Sequence, residues 1–269
     1  MMSESGRSKC PACKRLVLRG KLSIAKCAEC GHRWLLNSAE QHREVELTVY
    51  TDVYAGYRAD PVFETSVREI ITEKFLRLVP PPATALDVGC GSGDFMIAAR
   101  EAGYDIEGMD ISPASSAICT SRGLKAVAGD FLTHDFGRTF DLITMWDLVE
   151  HLREPGTFLE RAKALLSPNG LLFAKIPVFG DLSVTCSALA PRAAGMLLGA
   201  PDHVQYFTRK SLTRLCADAG FDALSLEPTG GIREKRTGGS MKRRLGRQVA
   251  STIKGVSGDY NILLMARAA

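Results

Sequence analysis

The chain has 269 residues, enough for one α/β domain and a small additional module. Hydrophobic residues make up 45% of it and charged residues 24%, which excludes a disordered or fibrous protein. A net charge of +4 is too small to indicate a nucleic-acid partner. The N-terminus lacks the apolar core of a signal peptide, and Pro191 and Arg192 interrupt the most apolar later stretch. We therefore expect no transmembrane segment and a cytoplasmic location, where thiols stay reduced.

Four of the eight cysteines lie close together near the N-terminus as two C-x-x-C pairs, Cys10 with Cys13 and Cys27 with Cys30. Two such turns can direct four thiolates at one tetrahedral zinc ion, and a site with no open position is structural. A redox pair is the alternative, but two pairs at this spacing favour zinc. Residues 1–38 are therefore predicted to form a zinc ribbon. Since four thiolates complete the site, His32 is expected at the surface.

The residues between the two pairs suggest how the ribbon folds. Residues 16–18 and 22–24 are apolar and flank Arg19-Gly20, which predicts a hairpin. Several lysines and arginines make the ribbon basic. This charge fits RNA or an anionic substrate, and it equally fits a solvated face of a packing module.

Residues 39–82 are predicted to form a linker and N-terminal helices. Apolar residues at helical spacing predict a helix over about 62–78, which three prolines at 80–82 end. Tyr50, Tyr54 and Tyr57 precede it and are expected to pack, with closure over a cofactor as the alternative.

A glycine-rich turn follows the next predicted strand, residues 85–88. It contains Gly89, Gly91 and Gly93, and helical character resumes at Phe95. Glycines let the backbone approach a ligand at the carboxyl end of a parallel strand. Asp87 precedes the turn within the strand, and a carboxylate there repels a pyrophosphate but suits a cationic ligand.

Three later predicted strands also end in polar or aromatic residues. The strand over 105–109 ends at Asp110, at the distance from the glycines expected of a ribose-binding carboxylate. Asp130 and Phe131 follow the strand at 125–127. The alternative for Asp130 is a turn residue that follows a strand and binds no ligand. Trp146-Asp147 follows the strand over 140–145.

These motifs occur in a recognisable order: LDVGCGSG, GMDIS, AGDF, FDLITMWDLVEHL and LSPNGLLFAKIP. From about residue 50 to the end, the chain resembles the class I methyltransferases that use S-adenosylmethionine (SAM). Within that class it is most similar to the ubiquinone-biosynthesis-like branch and to methyltransferases of glycans and natural products. The resemblance implies an α/β fold over 83–269, with a Rossmann-like, seven-stranded, mostly parallel sheet and flanking helices.

The resemblance also implies roles for the residues at the strand ends. The three glycines would lie along the methionine portion of SAM, with Asp87 supporting its amino group. Asp110, followed by Ile111, would bind the ribose hydroxyls. The remaining cofactor contacts would come from Asp130 and Phe131 at the adenine and from Trp146 and Asp147 at the methyl-donor side.

Two histidines are candidates for the acceptor side. His151 follows the fourth strand as part of a Glu-His-Leu sequence, where it acts as a general base or only orients the helix. His203 lies in an element that resembles the H-x-x-x-F-[ST] sequence of the family. It is a base or a residue that holds a lid, predicted at about 180–203. Thr208 is expected to cap the following helix.

The favoured interpretation is transfer of a methyl group to a small-molecule or saccharide acceptor, at oxygen. One alternative is an RNA methyltransferase that uses the ribbon and a basic insertion at about 230–258. The residues from Trp146 to Val149 lack the N-P-P-like sequence typical of amino-group methylation. The other alternative is a non-catalytic protein that binds SAM or interacts through its zinc module.

Overall fold

A computed structural model describes residues 7–12, 16–18, 24–36, 61–180, 198, 202–228 and 260–268. Cys13, the three tyrosines at 50–57, nearly all of the predicted lid and the basic insertion lie outside the described residues. Among the described residues, no helix has both the length and the apolar character needed to span a membrane.

The described part of the N-terminal module contains two short hairpins, with Cys10 directly after the first strand and with Cys27 and Cys30 in the turn of the second hairpin. Strand β1 (Arg7–Lys9) pairs with β2 (Leu16–Leu18), and β3 (Ile24–Lys26) pairs with β4 (Arg33–Leu35). The predicted hairpin around Arg19-Gly20 is therefore wrong. β1 and β2 flank the first C-x-x-C sequence, and β3 and β4 flank the second. Residues 16–18 therefore pair with residues 7–9.

A single helical segment leads into the main domain. Helix α1 (Pro61–Ile70) continues as one π turn (Ile71–Phe75) and ends with Leu76–Leu78. This confirms the helix predicted from apolar spacing. Val67, Ile71 and Phe75 are buried against the sheet.

The main domain contains a seven-stranded sheet with helices on both faces. Its remaining elements in chain order are β5 (Thr84–Val88), α2 (Asp94–Glu101), β6 (Asp105–Asp110), α3 (Pro113–Ser121), β7 (Lys125–Ala128), β8 (Phe140–Trp146), a 3-10 turn (Val149–His151), α4 (Pro155–Leu165), β9 (Leu166–Val178), β10 (Gln205–Tyr206), α5 (Arg209–Asp218), β11 (Phe221–Pro228) and β12 (Tyr260–Ala268). The strand order is β11-β12-β9-β8-β5-β6-β7. Only β12 runs antiparallel to its neighbours, so the expected mostly parallel, Rossmann-like sheet is confirmed.

The order of the strands determines where a ligand can bind. β5 lies inside the sheet, and the chain continues to β6 on one side and later to β8 on the other. At such a reversal, helices leave the sheet on opposite faces, which opens a crevice at the carboxyl ends of the strands. The glycine-rich turn, Asp110 and Trp146 all lie at this edge.

Two helix caps at this edge are encoded locally. The Ser112 side chain accepts a hydrogen bond from Ser115 N, and Pro113 occupies the first turn of α3. At α5, Thr208 and Ser211 form a reciprocal capping box, which confirms the predicted cap.

Candidate functional site

The glycine-rich turn after β5 is held against the end of β6. Gly89 N and Cys90 N both donate to Met109 O, at 2.7 and 3.1 Å. Gly89 has φ +74°, and a Cβ atom there would lie 3.1 Å from Leu148 Cδ1. A side chain would therefore be strained and crowded, and glycine keeps the backbone open toward the crevice.

Asp110 is held rigidly at the end of β6. Its Oδ2 accepts from Gly91 N and its Oδ1 from Ser112 N, both at 2.9 Å. The residue is 7% exposed and lines the cavity beside the glycine turn. Two backbone donors leave each oxygen with lone-pair capacity for a ligand hydroxyl.

A cavity of about 180 Å³ occupies the crevice. Eight of the predicted cofactor and catalytic residues line it: Gly89, Asp110, Ile111, Asp130, Phe131, Trp146, Asp147 and His151. Gly91, Gly93, Asp87 and His203 do not line it. The predicted set of site residues did not include six other lining residues, Val88, Met109, Gly129, Leu148, Leu152 and Phe158.

The charges of the lining indicate which cofactor fits. Among the described residues, the lining carries three carboxylates, Asp110, Asp130 and Asp147, and no lysine or arginine. A dinucleotide pyrophosphate would meet only like charge there. A cationic ligand with ribose hydroxyls and an aromatic base fits this set of groups, since carboxylates accept from hydroxyls and stabilise a positive centre.

Asp130 and Phe131 have structural partners as well as a place in the lining. Asp130 Oδ1 accepts from Leu132 N at 2.9 Å, as a turn residue would. The Phe131 ring is 3% exposed and lies 5.5 Å from the Phe158 ring, centroid to centroid. Asp130 is thus both a turn residue and a residue of the cavity lining.

Asp87 lies within the sheet below the glycine turn. It is 2% exposed and accepts a hydrogen bond from Thr144 Oγ1 at 2.7 Å. Burial raises the pKa of Asp87 to about 7, although the bond from Thr144 opposes the rise. Its support of a ligand amino group stays a prediction.

Lys175 is a site residue that sequence reasoning missed. It is 2% exposed on β9, and its Nζ donates to Asp147 Oδ2 at 2.6 Å. Asp147 has φ +49°, and its backbone N donates to Lys175 O. A lysine within an otherwise apolar strand was the available signal, because an ammonium group is rarely buried without a partner.

The two candidate histidines lie next to each other beyond the end of β8. Their rings are 4.8 Å apart, centroid to centroid, and nearly perpendicular. Nδ1 of His151 is 3.1 Å from Asp202 Oδ1, and Nε2 of His203 is 4.0 Å from Glu150 Oε1. Sequence reasoning did not include Asp202, which is distant in the chain and is brought here by the fold.

Burial and neighbouring charge change the pKa values of this group in opposite directions. Burial alone would lower the pKa of His151, but the hydrogen bond with Asp202 and the charge of Glu150 raise it to about 9. Burial and the charge of His151 lower the pKa of His203 to about 4. Burial raises the pKa of Glu150 to about 8, and its oxygens have no hydrogen-bond partner among the described residues.

Comparison with known proteins identifies the family. Residues 63–226 match the family described as "Methyltransferase domain". The chain belongs to this family. The matched segment contains every element that lines the cavity, from β5 to α4.

Individual relatives are more distant. A ubiquinone biosynthesis O-methyltransferase of Bordetella avium is 31% identical over 96 residues, 33% of this chain and 40% of that protein. The enzyme of the same name from Methylococcus capsulatus is 28% identical over 54% of this chain and 66% of its own length. The chain thus spans between two fifths and two thirds of these two relatives.

A solved structure supports the fold. The 1,6-didemethyltoxoflavin-N1-methyltransferase of Burkholderia thailandensis, solved with 1,6-didemethyltoxoflavin and S-adenosylhomocysteine bound, has a TM-score of 0.58. The alignment covers 91% of this chain and 100% of that one, at 16% identity. At this identity the similarity shows the fold alone.

The cysteines of the N-terminal module converge beside the methyltransferase domain. Cys10, Cys27 and Cys30 are buried, and their sulfur atoms lie within 4.8 Å of one another. Sγ of Cys10 and Sγ of Cys30 are 3.7 Å apart, far longer than the bond of about 2.05 Å in a disulfide. The distance is compatible with thiolates that share one metal ion.

His32 is buried, so the prediction of a surface histidine was wrong. Its side chain is fully inaccessible, and its Nε2 lies 2.8 Å from Gln205 Oε1. Its ring stacks on Trp34 and lies 4.8 Å from the Phe207 ring. The reason is tertiary: β4 pairs antiparallel with β10 of the methyltransferase domain, which covers the histidine.

Proposed function

We propose that the protein transfers a methyl group from SAM to an oxygen of a small-molecule acceptor. The observation that carries this proposal is the cavity whose described lining has three carboxylates and no lysine or arginine, with His151 in its wall. The O-methyltransferases among its relatives support the choice of oxygen. When bound, SAM supplies a methyl group on a sulfonium, which is already a good leaving group.

The protein's part is to hold the cofactor in position. Asp110, preorganised by Gly91 N and Ser112 N, accepts from the ribose hydroxyls. Asp130 and Phe131 contact the adenine, and Ile111 covers the ribose side. Gly89, Gly91 and Gly93 bring the backbone against the methionine portion, whose amino group Asp87 supports from below. Trp146 and Asp147 line the methyl-donor side.

On the acceptor side, we assign proton removal to the neutral form of His151. Its pKa of about 9 makes this the minority form near neutral pH, so that proton removal becomes more efficient as the pH rises toward 9. His151 lines the cavity, and Asp202 fixes its ring by holding Nδ1, which is the arrangement that orients a general base. His203 lies edge-to-face against it and outside the cavity wall, and it restricts the ring from behind. The rest of the rate enhancement comes from holding the acceptor oxygen in line with the methyl group and its sulfur, because such an alignment needs no further catalytic group.

The test is transfer of a labelled methyl group from SAM into cell extract, separated into small-molecule, glycan, lipid, protein and RNA fractions. Label in the small-molecule fraction, lost in His151→Gln but retained in His134→Gln, a half-buried histidine outside the cavity lining, supports the proposal. Label in RNA would instead support the RNA alternative. Binding of S-adenosylhomocysteine without any transfer would support the non-catalytic alternative.

We also propose that residues 1–38 form a zinc module distinct from the linker at 39–82 and the domain at 83–269. Sulfur atoms around one tetrahedral zinc ion, bonded at about 2.3 Å, lie about 3.8 Å apart. The 3.7 Å between Cys10 and Cys30 agrees with this spacing. Cys13 supplies the fourth ligand in this proposal. Metal analysis of the purified protein should find about one zinc per chain, and metal-free protein with reduced cysteines would contradict it.

A further inference from the structure

A network of hydrogen bonds connects the N-terminal module with the two histidines of the acceptor side, His151 and His203. β4 pairs with β10, so that Trp34 lies opposite Gln205 and Arg33 opposite Tyr206. β10 begins two residues after His203. The strand pairing therefore attaches the module to the segment that carries one of the two histidines.

Gln205 connects this pairing to the other histidine. It is 2% exposed, and its Nε2 donates to Leu152 O at 2.8 Å and to Arg153 O at 3.2 Å. These carbonyls directly follow the 3-10 turn that ends at His151. Since the amide nitrogen faces two acceptors, Oε1 faces His32, and Nε2 of His32 is the donor of their 2.8 Å bond.

A backbone chain runs in parallel with this side-chain network. Leu35 N donates to Val204 O, and Val204 N donates to Glu150 O, both at 2.9 Å. The module, the segment at 202–206 and the 3-10 turn are thereby joined by consecutive hydrogen bonds. Because Val204, Gln205 and Glu150 are buried, breaking their hydrogen bonds leaves an unsatisfied partner, and the geometry is costly to change.

We infer that Gln205 is a positioning residue that, held by His32 of the cysteine module, sets the geometry of the His151–His203 pair. The module is then a part of the acceptor side rather than a separate binding domain. This inference rests on the proposed function only in calling that pair the acceptor side.

The expected consequence concerns the environment of the two histidines. Among the described residues, the charged groups around them are Glu150 from the 3-10 turn, Asp202 from the segment before β10, Asp147 after β8 and Lys175 on β9. If residues 152–153 and 202–205 separate, His151 moves away from Asp202 and its pKa falls. Water then reaches His203 and its pKa rises.

The experiment is an NMR pH titration of the imidazole signals in the full-length protein, which has only five histidines. Gln205→Met keeps the side-chain volume and removes all three hydrogen bonds. His32→Phe keeps a ring against Trp34 and Phe207 and removes only the donor to Gln205. The control is Lys210→Met, because Lys210 Nζ donates to Glu29 O and joins the module to α5 without touching this network.

In Gln205→Met and in His32→Phe, we expect the titration midpoints of His151 and His203 to move toward each other by about one pKa unit. Lys210→Met should leave both midpoints unchanged. Unchanged midpoints in a folded Gln205→Met protein would overturn the inference, as would an equal shift in Lys210→Met. If Gln205→Met does not fold, His32→Phe decides by the same criterion.

Binding of S-adenosylhomocysteine, measured by calorimetry on the same proteins, separates this inference from the proposed function. Wild-type protein that fails to bind contradicts the proposed function and leaves the titration result intact. We expect Gln205→Met to bind within about twofold of wild type, because the hydrogen bonds that it loses, to His32, Leu152 and Arg153, do not include Asp110 or the glycine turn. A loss of binding beyond that would show that the network serves the cofactor instead, and would overturn the assignment.

Discussion

At the scale of single residues, the three carboxylates of the cavity are held in three different ways. Asp110 has two backbone donors, Asp130 has one within its own turn, and Asp147 has a buried lysine. Backbone donors leave the carboxylate charge uncompensated by a cation, whereas Lys175 neutralises Asp147. Asp110 is therefore the carboxylate best prepared to bind hydroxyl groups.

Replacement of Asp110 by asparagine should weaken cofactor binding more than it weakens the fold. A hydrogen bond to a charged group contributes about 1.5–3 kcal/mol, so we expect the Kd of S-adenosylhomocysteine to rise roughly 10- to 100-fold. Isothermal titration calorimetry measures this change. Asp105→Asn, an exposed change at the other end of the same strand, is the control. Equal affinity in Asp110→Asn and wild type would refute the ribose assignment.

Glu150 should make the stability of the protein depend on pH. Because burial raises its pKa to about 8, the folded protein keeps a proton that the unfolded chain loses near its ordinary pKa of 4.5. Stability contributed by Glu150 is therefore lost as the pH rises from about 4.5 to about 8.

Glu150→Gln cannot ionise, so its Tm should fall less than that of wild type between about pH 6 and about pH 8.5. The raised pKa of His151 also makes the stability fall as the pH rises. Because the charge of Glu150 contributes to that raised pKa, the variant should also lose part of the pH dependence due to His151. Glu160→Gln, an exposed change on α4, should behave as wild type. The same fall in Tm for Glu150→Gln and wild type would show that Glu150 is ionised throughout this range.

At the scale of elements, the start of α2 is fixed by packing as well as by backbone conformation. Gly93 precedes α2 with φ +80°, and a Cβ atom there would overlap Leu124 Cδ1 and lie 2.9 Å from Cys119 Sγ. Gly123 also has a positive φ of +69°, but nothing lies within 4 Å of its Cβ position. Comparing substitutions at the two glycines therefore separates the cost of backbone strain from the cost of steric crowding.

Both Gly93→Ala and Gly123→Ala should be destabilised by the left-handed backbone. Gly93→Ala additionally forces α3 and the loop after it away from the glycine turn. We expect its free energy of unfolding to be lower than that of Gly123→Ala by about 1–3 kcal/mol, the usual cost of overpacking. Urea unfolding of both variants measures the difference. Equal losses would mean that strain alone requires glycine at position 93.

At the scale of the whole molecule, the cysteine module and the methyltransferase domain share a three-stranded sheet, β10-β4-β3. The chain's two tryptophans report on the two parts separately. Trp34 lies in the module at 6% exposure, and Trp146 lines the cavity at 9% exposure.

Removal of the proposed metal should expose the module while leaving the methyl-donor side of the cavity, where Trp146 lies, in place. In Trp146→Phe protein, a chelator or the additional change Cys27→Ser should shift the emission of Trp34 to longer wavelength, since so small a module has little core without a metal. In Trp34→Phe protein, the emission of Trp146 should not shift under the same treatment. No shift of Trp34 would contradict the zinc module.

Much of the architecture could be predicted because the signals are local. Alternating and continuous apolar runs mark β5, β8 and β9, and the caps at Thr208 and Ser112 depend only on residues three positions away. The order of motifs from Asp87 to Asp147 also placed the cavity residues at the correct strand ends. These carboxylates meet because parallel strands bring their carboxyl ends to one edge.

The amino-acid sequence by itself thus determined the fold class, the strand ends that carry the cavity residues and the spacing of the cysteines in two C-x-x-C pairs. Only the tertiary structure decided that His151 and His203 lie side by side, that Asp202 and Lys175 belong to the site, and that His32 is buried. The physical reason is that the first set follows from contacts between near neighbours in the chain. The second set depends on contacts such as His32 with Gln205, whose partners are 173 residues apart and which exist only once β4 has paired with β10.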